Sequence, residues 1–378
     1  MRLFVFALFV LLLLVPVPSV AQRVDPRKRE PFDEAIDRGL KFLAREQNRD
    51  GSWPSGGFNR APGFGIPQPI PRGRAEGDVA VTALAVMSFL SAGHVPGEGP
   101  YAETVANGIQ FVVSSQRREN GLFASPLGGA TEMYYHGICT LMLAEAAGMT
   151  EGKIADDLKQ RLQSAVVVIL KAQRIQGRDV GGWRYQISGF DADLSVTGWQ
   201  LMALRAAKNL GCDVPQDRIA AAVAYVRKCH DARSGGYTYT SFGNVTVPCT
   251  GVGILSLELS GKESSGSDEA KRAGAYILKT PLSPTAAHFF YGIYYTSQGM
   301  FQLGDNYWRA YREQMHKLLL NSNPPNAEGF WSSRGGWDDA RFGTSYCTAM
   351  AILALTVEYR FLPIYQRFEE PLERDGKN

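Results

Sequence analysis

The stretch "RDVGGWRYQISGFDADLSVTGWQLMAL" (Arg178–Leu204) decides the fold. It joins a glycine-aromatic turn, Gly181-Gly182-Trp183, to an acidic pair, Asp191 and Asp193, and then to an apolar run. An aspartate set just before such a run signals a helix N-terminus. The run from Asp193 to Arg205 is apolar nearly all round, which predicts a helix buried on every side.

The pattern recurs along the chain without gaps. The matching segments are "DVAVTALAVMSFL" (78–90), "EMYYHGICTLMLA" (132–144), "DLSVTGWQLMALR" (193–205), "TVPCTGVGILSLE" (246–258), "AHFFYGIYYTSQG" (287–299) and "TSYCTAMAILALT" (344–356). Their first column reads Asp78, Glu132, Asp193, Thr246, Ala287, Thr344, and their fifth reads Thr82, His136, Thr197, Thr250, Tyr291, Thr348. The first five runs later meet Gly93, Gly148, Gly211, Gly261 and Gly304, which are expected C-caps. Before each run lies an amphipathic helical candidate, of which "AIDRGLKFLAREQ" (35–47) is the first. Polar-faced helices thus alternate with apolar ones, six of each. The economical arrangement is all-α: a single (α/α)6 toroid with an amphipathic outer ring and an apolar inner ring. An open solenoid is the rival, and six pairs suit ring closure.

Between the helices of a pair stand Gly51-Ser52-Trp53, Gly121-Leu122-Phe123, Gly181-Gly182-Trp183, Gly235-Gly236-Tyr237 and Gly335-Gly336-Trp337. Gln47, Gln116 and Gln173 precede three of these turns. Glycine permits the tight backbone, the ring covers the helix end, and the glutamine can bond unpaired backbone groups. These are expected to be structural.

The ends read differently. Arg2, an apolar core and small residues up to Ala21 describe an export signal over 1–21, and hence a periplasmic or extracellular address. Residues 22–30 are a linker, 31–368 the toroid and 369–378 a polar tail. The formal net charge of +3 is too small to suggest nucleic acid, and no later run is long enough for a transmembrane span. Five cysteines include no Cys-x-x-Cys. Cys139, Cys249 and Cys347 sit in apolar runs, whereas Cys212 and Cys229 lie near helix ends and are expected to pair. "RAPGFGIPQPIPRGRAEG" (60–77) reads as a lid or a surface loop.

"QNRDGSW" (47–53) and the paired helices resemble the Gln-Trp repeat and α/α toroid of squalene-hopene cyclases and protein prenyltransferases. The resemblance covers about residues 31–360. In class II terpene cyclases an Asp-x-Asp-Asp motif protonates an alkene or epoxide. "DADL" (191–194) keeps Asp191 and Asp193 but has Leu194 in the last place. Those cyclases use two toroid-like domains, and this chain has room for one. Prenyltransferase zinc needs an Asp-x-Cys pair, and "VPC" (247–249) offers only Cys249. No metal and no cofactor are therefore expected.

In a toroid the inner helices run parallel, so Asp78, Glu132 and Asp193 are expected at one mouth. They read either as caps or, with Asp191, as acid catalysts. His136 stands one turn above Glu132 and is expected to face the axis with it. Trp199, Tyr134, Tyr291 and Tyr346 are expected to line a ligand site. The resemblance implies an apolar, isoprenoid-type small molecule or lipid in the cavity. The alternatives are a non-catalytic envelope scaffold and a carbohydrate-active barrel, for which Asp338-Asp339 supplies an acidic pair.

Overall fold

The computed structural model describes residues 30–55, 77–123, 131–261, 264–332, 334 and 337–366, with backbone alone at 305 and 337–341. The expected signal, almost all of the linker, the insertion up to residue 76, Gly335-Gly336 and the tail lie outside the described residues. Outer helices α1 (Pro31–Glu46), α3 (Ala102–Ser114), α5 (Gly152–Ala172), α7 (Gln216–Lys228), α9 (Asp268–Lys279) and α11 (Asp305–His316) alternate along the chain with inner ones. The inner helices are α2 (Val79–Ser91), α4 (Glu132–Gly148), α6 (Leu194–Asn209), α8 (Val247–Glu258), α10 (Phe289–Leu303) and α12 (Trp337–Leu355). An antiparallel ribbon of β1 (Tyr237–Thr238) and β2 (Val245–Thr246) leads into α8.

Burial separates the two rings. In α9 the buried residues are Ala270, Ala273, Gly274 and Ile277, one stripe at helical spacing. In α2 every residue except Ala80 is buried. Each inner helix packs on the next, and α12 returns to α2. The ring is closed: the segments that start at Asp78 and Thr344 are neighbours, and the Thr356 hydroxyl donates to Ser91 Oγ at 2.8 Å across the seam.

The turns explain the fifth sequence column. The backbone N–H of Trp53, Phe123, Trp183, Tyr237 and Trp331 donates to Thr82 Oγ1, His136 Nδ1, Thr197 Oγ1, Thr250 Oγ1 and Thr348 Oγ1 respectively. The glutamines act as expected. Gln173, for example, donates to the carbonyls of Gly181 and of Arg218 on the next outer helix. The glycine of each turn lies against that next helix too. A Cβ on Gly121 would stand 2.7 Å from the Ser164 carbonyl oxygen of α5. A Cβ on Gly329 would stand 2.5 Å from that of Arg38 on α1. The last turn therefore docks on the first helix.

Two expectations are corrected. The turn aromatic of the sixth helix pair is Trp331, not Trp337: the Trp331 indole donates to the Leu319 carbonyl, while Trp337 begins α12. Gly335-Gly336-Trp337 repeats the spelling of Gly181-Gly182-Trp183, but Gly329-Phe330-Trp331 has the backbone placement. Cys212 and Cys229 are both free thiols. They flank α7, whose 13 residues span about 20 Å, so the end of an inner helix and the end of the next outer helix face opposite ends of the toroid.

After α12 the chain crosses the C-terminal ends of the inner ring. Ile364 N–H donates to Glu145 Oε2 at 3.3 Å, and the Tyr365 and Tyr294 hydroxyls meet at 3.1 Å. The nearby recess bounded by Gln298 and Tyr365 holds about 10 Å³, room for a single water.

Candidate functional site at the inner-helix mouth

The opposite mouth is formed by the N-termini of the inner helices. Asp78 caps α2 by accepting from the N–H groups of Ala80 and Val81. Asp193 caps α6 by accepting from Val196 N–H through Oδ1, which the Ser195 hydroxyl also reaches at 2.6 Å. Each such cap contributes about 1 kcal/mol. Glu132 opens α4 half-exposed, with no side-chain cap bond at that helix start.

Asp78 and Asp193 are each reached from a tyrosine of α4. Tyr135 donates to Asp78 Oδ2 at 2.9 Å. The Tyr134 hydroxyl meets Ser195 Oγ, and so reaches Asp193 through one hydroxyl. Tyr134, Ser195 and Tyr346 occupy the third sequence column, two places before the turn-bonded column. Residues two apart on a helix point to nearly opposite faces. Outside the fifth repeat, where Tyr291 takes the fifth column and meets Tyr295 instead of a turn, one column therefore serves the turns and the other the axis.

Asp193 is fully buried. Burial raises its carboxyl pKa, against the lowering effect of Ser195, the Val196 N–H and Arg184. Its Oδ2 has no hydrogen-bond partner, and Arg184 Nε lies 3.7 Å away. Arg184 also lies 3.4 Å from Asp191, whose side chain is 60% exposed. The guanidinium rests on the rings of Tyr185 and Tyr239, at 4.9 and 5.5 Å from their centroids. Arg174 holds the connecting loop by donating to the carbonyls of Gln186, Ile187 and Asp191.

Further in, the aromatic residues converge. Trp199 stacks on Tyr294 at 5.5 Å and meets Tyr295 edge-on at 5.3 Å. Tyr291 and Tyr295 lie 4.8 Å apart, and neither hydroxyl makes a well-formed hydrogen bond. Burial raises the pKa of Tyr134, Tyr291 and Tyr295 well above the ordinary phenol value. Trp199 and Tyr291 both lie against Tyr295, on which Tyr134 and Tyr346 also act electrostatically.

His136 leaves the set, correcting the expectation that it faces the axis with Glu132. Its Nδ1 accepts from Phe123 N–H, its Nε2 bonds to the Ala165 carbonyl at 2.9 Å, and burial lowers its pKa to about 4. It is a neutral link between inner helix, turn and outer helix, standing where four of the other repeats use threonine. Sequence reasoning missed Arg184, whose one signal was a cation between the turn tryptophan and the acidic pair. It also missed Ser195, whose signal was its column shared with Tyr134. Among the described residues no group of three His, Cys, Asp or Glu side chains could hold a metal ion, and no helix is long and apolar enough to cross a membrane.

No family model and no curated protein matches the sequence. Solved structures do. A type II terpene cyclase, MstE from Scytonema, superposes with TM-score 0.53 and 17% identity over 88% of this chain and 98% of that one. The GH76A α-1,6-mannanase of Salegentibacter sp. HEL1_6 gives 0.61 and 10% over 86% and 98%. A GH76 α-mannanase of Bacteroides thetaiotaomicron gives 0.59 and 11% over 87% and 96%. The chain has the (α/α)6 toroid fold. Terpene cyclases and mannanases share that toroid, so the likeness describes the scaffold and leaves the chemistry to the site.

Proposed function

We propose that the toroid binds an unsaturated, isoprenoid-type ligand at its tyrosine-lined mouth, with Asp193 as a general acid. The observation that carries the reading is a buried carboxyl with one unbonded oxygen that acts electrostatically on Tyr134 and Tyr291. An aromatic wall suits a cation because ring faces are electron-rich. In the step proposed, the Asp193 O–H bond breaks and its proton forms a C–H bond with the π electrons of the terminal alkene. The tertiary carbocation left behind is closed by the next alkene, and a final C–H proton is released to a base. The MstE structure solved with geranylgeranyl dihydroxybenzoate as substrate supports this ligand class.

The purified chain should be offered farnesol, geranylgeraniol and squalene. The expected outcome is quenching of Trp199 fluorescence in wild type and in Asp193→Asn, and an isomeric cyclised product from wild type alone. Asn keeps the cap acceptor, so the variant should stay folded. No quenching by any of the three would overturn the ligand class, and an equal product yield from Asp193→Asn would overturn its acid role.

A second reading rests on the consecutive pair Asp338-Asp339 at the start of α12. A GH76 mannanase variant altered at two consecutive aspartates is described as inactive. Release of mannose from α-1,6-mannotriose by wild type, lost in Asp338→Asn/Asp339→Asn, would favour sugar chemistry instead.

A further inference from the structure

Asp191 and Asp193 share one cation, and that arrangement carries an inference about regulation of the site, resting on the reading of Asp193 as an acid. Arg184 Nε lies 3.4 Å from Asp191 Oδ2 and 3.7 Å from Asp193 Oδ2. The second distance is an ion-pair approach without a hydrogen bond, and the Asp193 oxygen stays unbonded. The Asp191 backbone is pinned by Arg174, whose Nε donates to its carbonyl at 2.9 Å. Tyr185 and Tyr239 support the Arg184 guanidinium from below, so it has a resting place between the two carboxylates. A full bidentate pair between Arg184 and Asp193 would hold Asp193 as the anion and remove its proton.

We propose that Asp191 is a positioning residue: it draws Arg184 toward the solvent side and keeps the guanidinium from pairing fully with Asp193, so that Asp193 retains a transferable proton. The two aspartates thereby have unlike roles despite lying two residues apart. Asp191 is the exposed anion and Asp193 the buried acid.

The other groups around Asp193 leave the decision to this triad. The loop before α6 brings two cations, Arg174 and Arg184, and Arg174 is spent on loop carbonyls. Tyr134 of α4, Tyr225 of α7 with Cys229 at its C-cap, Tyr239 after β1, Cys249 of α8 and Tyr291 of α10 also act electrostatically with Asp193. Burial pushes each of them up, so all stay neutral through the pH range in which a carboxyl titrates.

The test reads the protonation of Asp193 without any substrate. Infrared spectra across pH identify the protonated-carboxyl band that Asp193→Asn deletes. In Asp191→Asn, Arg184 is free to pair with Asp193, and the apparent pKa of that band is expected to fall by about one unit or more. In Arg184→Met, which keeps the stem against the tyrosines, it is expected to rise. In the double variant it should match Arg184→Met, because Asp191 acts only through the guanidinium. Asp191→Glu should restore the wild-type value. An equal fall on removing Asp191 in the presence and absence of Arg184 would mean direct repulsion between the aspartates and overturn the proposal, as would no change in Asp191→Asn. If Arg184→Met does not fold, Arg184→Gln completes the cycle. A negative result with isoprenoids leaves this measurement intact, so the two ideas fail separately.

Discussion

At the scale of single residues, His136 and Tyr134 show how one helix periodicity assigns opposite duties. His136 sits in the column that receives the turn N–H, where Thr82, Thr197, Thr250 and Thr348 do the same task in other repeats. It does more than they do, because its second nitrogen also engages the α5 carbonyl of Ala165. His136→Ala is expected to destabilise by about 2–4 kcal/mol, leaving the Phe123 N–H and the Ala165 carbonyl unpaired and a void behind. His136→Thr keeps an acceptor and should cost about half as much. Urea denaturation checks both, and neither substitution should alter ligand binding at the mouth.

At the scale of the element, a carboxyl buried in α4 links stability to pH. Burial raises the Glu145 carboxyl to about 8, against the lowering effect of the Ile364 N–H that it accepts. The folded pKa lies above the ordinary value of 4.5, so the folded protein holds a proton there that the unfolded chain has released. The stabilisation is fully present below 4.5 and is lost as pH rises toward 8, by about 1.4 kcal/mol per pH unit. The thermal midpoint is expected to fall between pH 5 and pH 8 in wild type, and Glu145→Gln should flatten that dependence. Calorimetry at several pH values checks it, since an equal slope in both proteins would place the titrating group elsewhere.

At the scale of the molecule, closure makes the end of the chain equivalent to its interior. The Gly329 turn bears on Arg38 of α1 as Gly121 bears on Ser164 of α5, and both backbones have positive φ, 95° and 77°. Alanine at either position meets a carbonyl oxygen in a conformation that L-residues rarely adopt. Gly329→Ala and Gly121→Ala are each expected to cost about 2–3 kcal/mol while unfolding stays a single transition. In an open solenoid the terminal substitution would instead loosen one end and broaden the transition. Circular dichroism melts of the two variants separate these outcomes.

The repeat, the alternation of amphipathic and apolar helices and the capping aspartates were legible in the sequence because they depend on spacing along one helix. Asp193 as a cap followed from that spacing alone. The outward face of His136, the substitution of Trp331 for Trp337 and the separation of Cys212 from Cys229 did not. Each depends on which neighbour a side chain meets, and that is set by the direction of adjacent helices. Arg184 shows the limit most plainly. Only the packing of the loop before α6 against Tyr185 and Tyr239 sets one guanidinium between Asp191 and Asp193. A buried carboxyl's charge is decided by the groups that surround it in space, and a linear chain does not state them.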